Sequence, residues 1–176
     1  QYERDAQRVY EAIIKRMELF GLELSKEKTR ILPFGRNCAT RETFDFLGFT
    51  HFNSKTRKGY YSVGHKISRK KKKQFKSNLK KWVKENRNKQ FDEFMKKLNK
   101  KLTGSFNYYS LSGMIREGRS LWIHSLYVTF KWMNRRSQRR SFKLERFYEI
   151  WHERIMHPYI HVDIWSGDKV IYNKNV

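Results

Sequence analysis

The sequence has one cysteine, few acidic side chains and no long apolar run, and each shortage excludes a class of protein. Cys38 stands alone, so an internal disulfide and a cysteine-based zinc site are both excluded, which favours a reducing compartment. No apolar run approaches the ~18 residues of a membrane span, so no span is predicted. Acidic residues number 17 against 40 basic ones, for a formal net charge of +23.

Carboxylates and histidines do not form a recognisable catalytic or metal site. Phosphoryl transfer with two metal ions needs carboxylates close enough to share them, and the aspartates of this chain are scattered. His152, His157 and His161 lie close together, but Pro158 interrupts the helical spacing of the last two. Because no cysteine or carboxylate completes a tetrahedral set, no bound metal is predicted.

The positive charge is concentrated in the last two thirds of the chain. Residues 1–63 carry 12 basic and 8 acidic side chains, whereas residues 64–176 carry 28 and 9. A field of this size attracts polyanions. Aromatic residues make up 16% of the chain, and they can stack on bases as well as fill a core. Nucleic acid is the predicted partner, and an anionic membrane surface and a polyanionic protein are the alternatives.

The first part of the chain combines a helical and a strand-like pattern. Apolar residues recur at three- and four-residue steps over Glu3–Phe20, which predicts an amphipathic helix that ends at Gly21. The next residues, Leu22–Leu32, suit a short strand pair around a turn at Ser25–Lys28.

The segment TFDFLGFTHFNSKTRKGYYSV predicts a β-hairpin. Its alternation indicates one strand through residues 44–52, with Leu47 and Phe49 on the face opposite Gly48. The NSKTRKG stretch can then turn the chain back into Tyr60–Val63. A glycine inside a strand indicates that another backbone, or a ligand, comes close to it.

Beyond Val63 the periodicity is helical throughout. Four helices are predicted, at about Phe75–Val83, Phe91–Leu102 (ended by Gly104), Ser120–Met133 and Leu144–Trp151. The fold class is therefore α+β, with a small α/β element followed by an all-helical, strongly basic bundle. The predicted domains are residues 1–63 and 64–158, with a tail at 159–176.

Three segments of the bundle carry patterns suited to RNA. SRKKKKQFKSNLKKWVKE places cations around one helix as a rail for phosphates, or else as a solvated face: Arg69, Lys72, Lys73, Lys76, Lys80 and Lys84. WMNRRSQRRSF is a more specific indication of RNA binding than the lysine-rich helix, because the guanidinium groups of arginine match phosphate oxygens bidentately and stack on bases. Its arginines are Arg135, Arg136, Arg139 and Arg140. GSFNYYSLSG either closes a helix over the core or offers a polar-aromatic surface of Asn107, Tyr108 and Tyr109.

These motifs resemble a known family in chain order. GLELSKEKTRIL followed by FDFLGF is similar to the last two conserved blocks of the reverse transcriptase palm in group II intron-encoded proteins. LNKKLTGSFNYYSL and KWMNRRSQRRSF resemble the maturase, or X, domain of that family, which corresponds to the polymerase thumb. The resemblance covers most of the chain and implies a short palm remnant followed by a thumb/maturase bundle.

The resemblance also implies roles for particular residues. The primer grip, a hairpin that holds a nucleic-acid 3′ end, would comprise Phe46, Leu47, Gly48 and Phe49, with Lys28 in the block beside it. The thumb helix that tracks the template–primer duplex would begin with Arg69, Lys70, Lys71, Lys72 and Lys73 and continue through Lys76 and Lys80. The RNA-binding maturase surface would comprise Gly104, Asn107, Tyr108, Tyr109, Arg135, Arg136, Arg139 and Arg140.

Proteins of this family bind their own intron RNA, help it to splice, and copy it into DNA with Mg²⁺. The resemblance implies RNA and a template–primer duplex as partners, leaves a DNA target open, and implies no membrane. The family's YADD-type motif, whose aspartates bind Mg²⁺, is expected upstream of Gln1. We therefore expect this chain to be a piece of a longer protein, to bind no cofactor itself and to be inactive alone. A bacterial cytoplasm is the expected location, or an organelle in a eukaryote.

Two alternatives stay open at this point. One is a splicing cofactor whose polymerase has decayed, which would leave RNA binding as its whole activity. The other is a related bacterial reverse transcriptase, such as those attached to CRISPR adaptation genes, because these lineages share the same blocks.

Overall fold

A computed structural model describes residues 2–25, 27–36, 42–109, 111, 113–136 and 141–159. Within these residues the chain is mixed helix and sheet, with five helices and one three-stranded antiparallel sheet. In chain order the elements are α1 (Tyr2–Leu19), β1 (Thr43–Phe46), β2 (Phe49–Lys55), β3 (Tyr61–Ile67), α2 (Arg69–Asn86), α3 (Phe91–Tyr109), α4 (Ile115–Met133) and α5 (Leu144–Arg154). The predicted tail beyond Tyr159 lies outside the described residues.

The chain divides into two compact units. The first comprises Gln1–Thr43 and Phe52–Val63, and the second comprises Phe44–His51 and Gly64–Val176. The domain boundary predicted at residue 63 stays a prediction.

The first unit contains the predicted N-terminal helix. α1 confirms that prediction, and Gly21 follows it with a φ of +68°, a conformation that suits glycine after a helix. Its apolar stripe is largely exposed at Val9 and Ile13. A turn is present where it was expected, with the Lys28 amide donating to the Ser25 carbonyl at 3.0 Å.

The strand pair predicted around that turn is wrong for the residues described between 22 and 36, where no strand forms. Leu22 and Ile31, one from each predicted strand, are both exposed. An isolated two-stranded pair without a buried face is marginal in water, which explains why the alternation alone did not produce strands.

The sheet has the order β1-β2-β3, and its second hairpin is the predicted one. The Gly59 amide donates to the Thr56 carbonyl, and the Thr56 amide donates to that of Tyr60. The single strand predicted through residues 44–52 is wrong, because Leu47 and Gly48 form a tight turn between β1 and β2. Gly48 therefore lies in a turn and not inside a strand.

The second unit is built around four helices and an aromatic core. α2 packs along α4, and α5 packs against both α3 and α4. Rings connect the elements: Trp82 lies 5.3 Å from Phe94 and Phe130 lies 5.5 Å from Phe147, between ring centroids. The four helices predicted here are all present, and two of them, α2 and α4, begin earlier than expected.

α3 corrects one predicted boundary. The helix was expected to end at Gly104 but continues to Tyr109. Leu98, Leu102 and Phe106 are fully buried at four-residue steps on both sides of the glycine. Burying a large apolar side chain is worth about 1.5–3 kcal/mol, which exceeds the ~1 kcal/mol that glycine costs inside a helix.

Candidate nucleic-acid interface

A two-residue turn joins β1 to β2 with an unusual backbone. Leu47 has a φ of +49° and Gly48 a φ of +85°. Positive φ at both central positions is the signature of a type I′ turn, whose twist matches that of the strands it joins. Across the turn, the Thr50 hydroxyl donates to the Asp45 carboxylate.

The two carbonyl groups of this turn are bound by the helices of the same unit. The Tyr108 hydroxyl, from the last turn of α3, donates to the Leu47 carbonyl. The Ser68 amide, at the start of α2, donates to the Gly48 carbonyl at 2.9 Å. The turn is therefore held by contacts from two different helices.

Side chains pack around the turn as well. Phe49 stacks on Tyr108 with ring centroids 5.5 Å apart and meets Tyr109 edge-on at 5.8 Å. A Cβ atom placed on Gly48 would lie 3.2 Å from Cγ of Lys71. The close approach expected at Gly48 is therefore made by a lysine side chain and by the backbone of Ser68.

An exposed aromatic and cationic surface results, which we call the turn surface: Phe46, Leu47, Lys71 and Tyr108. Phe46 is 60% exposed, Leu47 68% and Tyr108 51%, although all three are large apolar or aromatic residues. Such a surface can contact bases or sugars while the ammonium group contacts a phosphate. Burial, and to a smaller extent the neighbouring Tyr108, raise the pKa of Tyr109 above its ordinary 10.0.

Sequence reasoning predicted the turn residues, the tyrosines and the lysines as separate sites. The structure brings Phe46–Phe49, Lys71 and Tyr108–Tyr109 together. Arg69 and Lys70 are exposed in the first turn of α2, and Asn107 is exposed in the last turn of α3. Lys28 is exposed in the first unit.

The cations of α2 differ in their surroundings. Arg69, Lys73, Lys80 and Lys84 are exposed and follow one another at steps of four, seven and four residues. At 100° per residue, these steps place the four residues within a 60° sector around the helix axis. Along the axis they extend over about 22 Å. We call these four residues the α2 stripe.

Two other predicted contacts on α2 face α4 instead. Lys72 forms a salt bridge with Glu117, so its charge is already paired. Lys76 is half-buried. Burial of His124 on α4 lowers the pKa of that histidine, and the charge of Lys76 lowers it further. These two lysines are less available to a ligand than the α2 stripe.

The arginine-rich segment after α4 also divides into distinct roles. Arg135 is exposed, with its guanidinium 5.6 Å from the centroid of the Trp132 ring. Arg136 is half-buried and donates to the carbonyls of Met133 and Arg87. Arg139 and Arg140 lie outside the described residues.

Sequence reasoning missed Arg87, at the C-terminal end of α2. Its guanidinium lies 5.2 Å from the centroid of the Trp132 ring, and Nζ of Lys84 lies 5.8 Å from it. The available signal was helical spacing, since Arg87 follows Arg69 by 18 residues, which is five complete turns.

Histidines form two close pairs in the second unit. His51 and His65 approach through their Nδ1 atoms at 2.8 Å, and His152 Nδ1 lies 2.8 Å from His157 Nε2 beneath the Trp122 ring. Among the residues the structure describes, no group of three or more potential ligands is arranged to hold a metal ion. His161 lies outside those residues.

No family model, curated protein or solved structure matches this chain. None of the helices within the described residues is both long enough and apolar enough to span a membrane.

Proposed function

We propose that this chain is the RNA-binding thumb and maturase portion of a group II intron-type reverse transcriptase, with the end of its palm attached. In that role it binds intron RNA to aid splicing and positions a template–primer duplex for DNA synthesis. The observation that carries the proposal is the turn surface. Two segments that resemble separate blocks of that family, FDFLGF and GSFNYY, meet around one turn, beside the start of α2, which the resemblance makes the start of the thumb helix.

The contacts of the turn support a role in holding a nucleic-acid strand. Its two carbonyls are used internally by Tyr108 and Ser68, so the backbone is fixed without help from a ligand. Phe46 and Leu47 point their apolar side chains outward. Preorganisation of this kind lowers the entropy lost on binding, because the surface is already in its bound shape.

The α2 stripe supplies the electrostatic part of the proposal. Its four cations begin beside the turn surface, at Arg69, and continue along one side of the helix. Each neutralised phosphate releases counterions, so binding through such a stripe falls steeply with salt. The partner is RNA in this proposal, and a DNA strand of the duplex can occupy the same stripe because its phosphates are equivalent.

Catalysis is not assigned to any residue of this chain. DNA synthesis needs Mg²⁺ held by paired aspartates, and no two aspartates are adjacent in this sequence. In this proposal the metal-binding residues belong to the parent polymerase, acting in a bacterial cytoplasm or an organelle.

The test compares two tyrosines with nearly equal exposure. Tyr108 is 51% exposed in the turn surface, whereas Tyr148 is 49% exposed on α5 beside Glu145 and Glu149. Loss of a stacked aromatic costs about 1–3 kcal/mol per base, so Tyr108→Ala should weaken binding of a labelled RNA–DNA template–primer duplex by about tenfold or more. Tyr148→Ala should change it by less than about twofold.

Thermal unfolding of both variants checks that the fold is kept. With Mg²⁺ and nucleotides, the unaltered chain should bind the duplex but extend no primer. Failure to bind RNA at moderate salt, or incorporation of nucleotides by the chain alone, would contradict the proposal.

A further inference from the structure

Three cationic side chains surround Trp132 near the C-terminal end of α4. Arg87, Arg135 and Lys84 place their charged groups 5.2, 5.6 and 5.8 Å from the centroid of its ring. The face of an indole ring attracts cations, most strongly among the aromatic side chains. We call these four residues the Trp132 cluster.

The cluster has no acidic partner within the part of the chain that the structure describes. The salt bridges found there use Lys72, Lys97, Arg146 and Arg154, and none uses a member of the cluster. Three like charges around one ring repel each other. The negative ends of α2 and α4, which meet here, offset only part of that repulsion.

Neighbouring residues hold the cluster in place. Arg136 donates from Nη1 to the carbonyl of Arg87 and from Nε to that of Met133, so it ties the ends of α2 and α4 together. The side-chain amide of Asn134 makes two hydrogen bonds to the backbone of Phe142, at 2.8 and 3.1 Å. The backbone on either side of Arg135 is thereby anchored.

We propose that Lys84, Arg87 and Arg135 together bind a phosphodiester group of RNA, with the Trp132 ring holding their side chains in position. The proposal rests on the proposed RNA-binding function and extends it to a defined subsite. Guanidinium groups match phosphate oxygens bidentately, and Arg87 and Arg135 bring two of them to the same indole ring from the ends of two different helices. Arg136, which is occupied by carbonyls, has a structural role instead.

The position of the cluster agrees with the α2 stripe. Arg87 follows Arg69 by five complete helical turns and therefore lies on the same side of α2. Lys84 belongs to both the stripe and the cluster. A strand whose phosphates follow the stripe from the turn surface would reach the cluster at its far end.

The experiment removes three charges in each of two places. One variant carries Lys84→Gln, Arg87→Gln and Arg135→Gln. The control carries Lys96→Gln, Lys100→Gln and Lys101→Gln, which removes three exposed lysines from α3. Affinity for a labelled RNA hairpin is measured over a series of salt concentrations, and thermal unfolding checks the fold of each.

The cluster variant should bind about tenfold more weakly and lose about one unit of log–log salt slope, as expected for one phosphate contact. The control should change affinity by less than about threefold and keep its slope. Equal losses in the two variants would overturn the subsite and leave the proposed function standing. An unaltered chain that binds no RNA would overturn the proposed function itself.

Two further variants separate the roles of neighbouring residues. Trp132→Leu removes the ring that holds the cations in position, so it should weaken RNA binding severalfold. Because it keeps every charge, the salt slope should be unchanged. Arg136→Gln should lower the unfolding temperature and keep the slope. A loss of slope in Arg136→Gln equal to that in the cluster variant would contradict the division of roles. Binding to anionic lipid vesicles that depends on the cluster, with RNA affinity unaffected, would also overturn the proposal.

Discussion

Leu47 and Gly48 show how single residues carry the backbone conformation of the turn surface. Glycine adopts a φ of +85° without steric cost, whereas leucine at +49° does not. Leu47 keeps this conformation while Tyr108 donates to its carbonyl and Ser68 donates to that of Gly48. Strain of this kind persists where surrounding contacts over-determine the backbone.

Gly48→Ala should therefore lower the free energy of unfolding by about 1–2 kcal/mol, because an L-residue pays that amount at positive φ. Lys71 adds little, since its flexible side chain can move away from the new Cβ. Gly104→Ala is the matched control. Gly104 lies inside α3 with open space around it, so alanine there should raise the free energy of unfolding by about 0.5–1 kcal/mol.

Urea denaturation of both variants measures the difference. A rise in the free energy of unfolding of Gly48→Ala, matching that of Gly104→Ala, would show that the turn conformation assigned to Gly48 is wrong.

At the scale of elements, α2 begins with a charge arrangement that opposes its own dipole. Its first turn contains Arg69, Lys70 and Lys71 and no acidic residue. The positive end of the helix dipole repels these cations, and the Ser68 hydroxyl, which accepts from the Lys71 amide, offsets only part of the cost. Burial of Leu79 and Val83 against the core keeps the helix folded.

Lys70→Glu should consequently raise the free energy of unfolding by about 0.3–1 kcal/mol, because a carboxylate at a helix N-terminus is favourable. The same change removes a cation beside the turn surface, so RNA affinity should fall. Lys81→Glu makes the same charge change outside the first turn of α2 and should give no gain in stability. Denaturation midpoints and RNA titrations on the unaltered chain, Lys70→Glu and Lys81→Glu test whether stability and RNA affinity change in opposite directions. A rise of both in Lys70→Glu would contradict this prediction.

For the whole molecule, the excess positive charge and three histidines set the response to pH. Burial lowers the pKa of His65, His124 and His157 from the ordinary 6.5, with additional lowering by His51, by Lys76, and by His152 and Arg119 respectively. The unfolded chain then binds more protons than the folded one below that value. Their contribution to stability is complete above pH 6.5 and decreases as the pH falls.

The unfolding temperature should therefore be lower at about pH 5.5 than at about pH 7.5, measured in high salt so that long-range repulsion is screened. A variant with His65→Asn, His124→Asn and His157→Asn should show a smaller difference between the two conditions. An equal difference in the variant and the unaltered chain would rule out these histidines as the cause.

Local patterns predicted much of the fold and less of the candidate site. The helices were predictable because a 3.6-residue period repeats over many residues, and the turn around Thr56–Gly59 was predictable from its polar and glycine residues. The end of α3 was misplaced, because burial of Phe106 outweighs the local preference of Gly104. The break at Leu47 was missed, because leucine rarely adopts positive φ without tertiary support.

The sequence by itself determined where the helices form and which part of the chain is strongly positive, because period and charge can be read along the chain. Only the tertiary structure decided which cations are paired and which are free. Lys72 pairs with Glu117 because α2 lies along α4, and Arg87 joins Arg135 at Trp132 because the C-terminal ends of those helices meet. These meetings depend on distances through space between residues far apart in the chain, and no local pattern contains them.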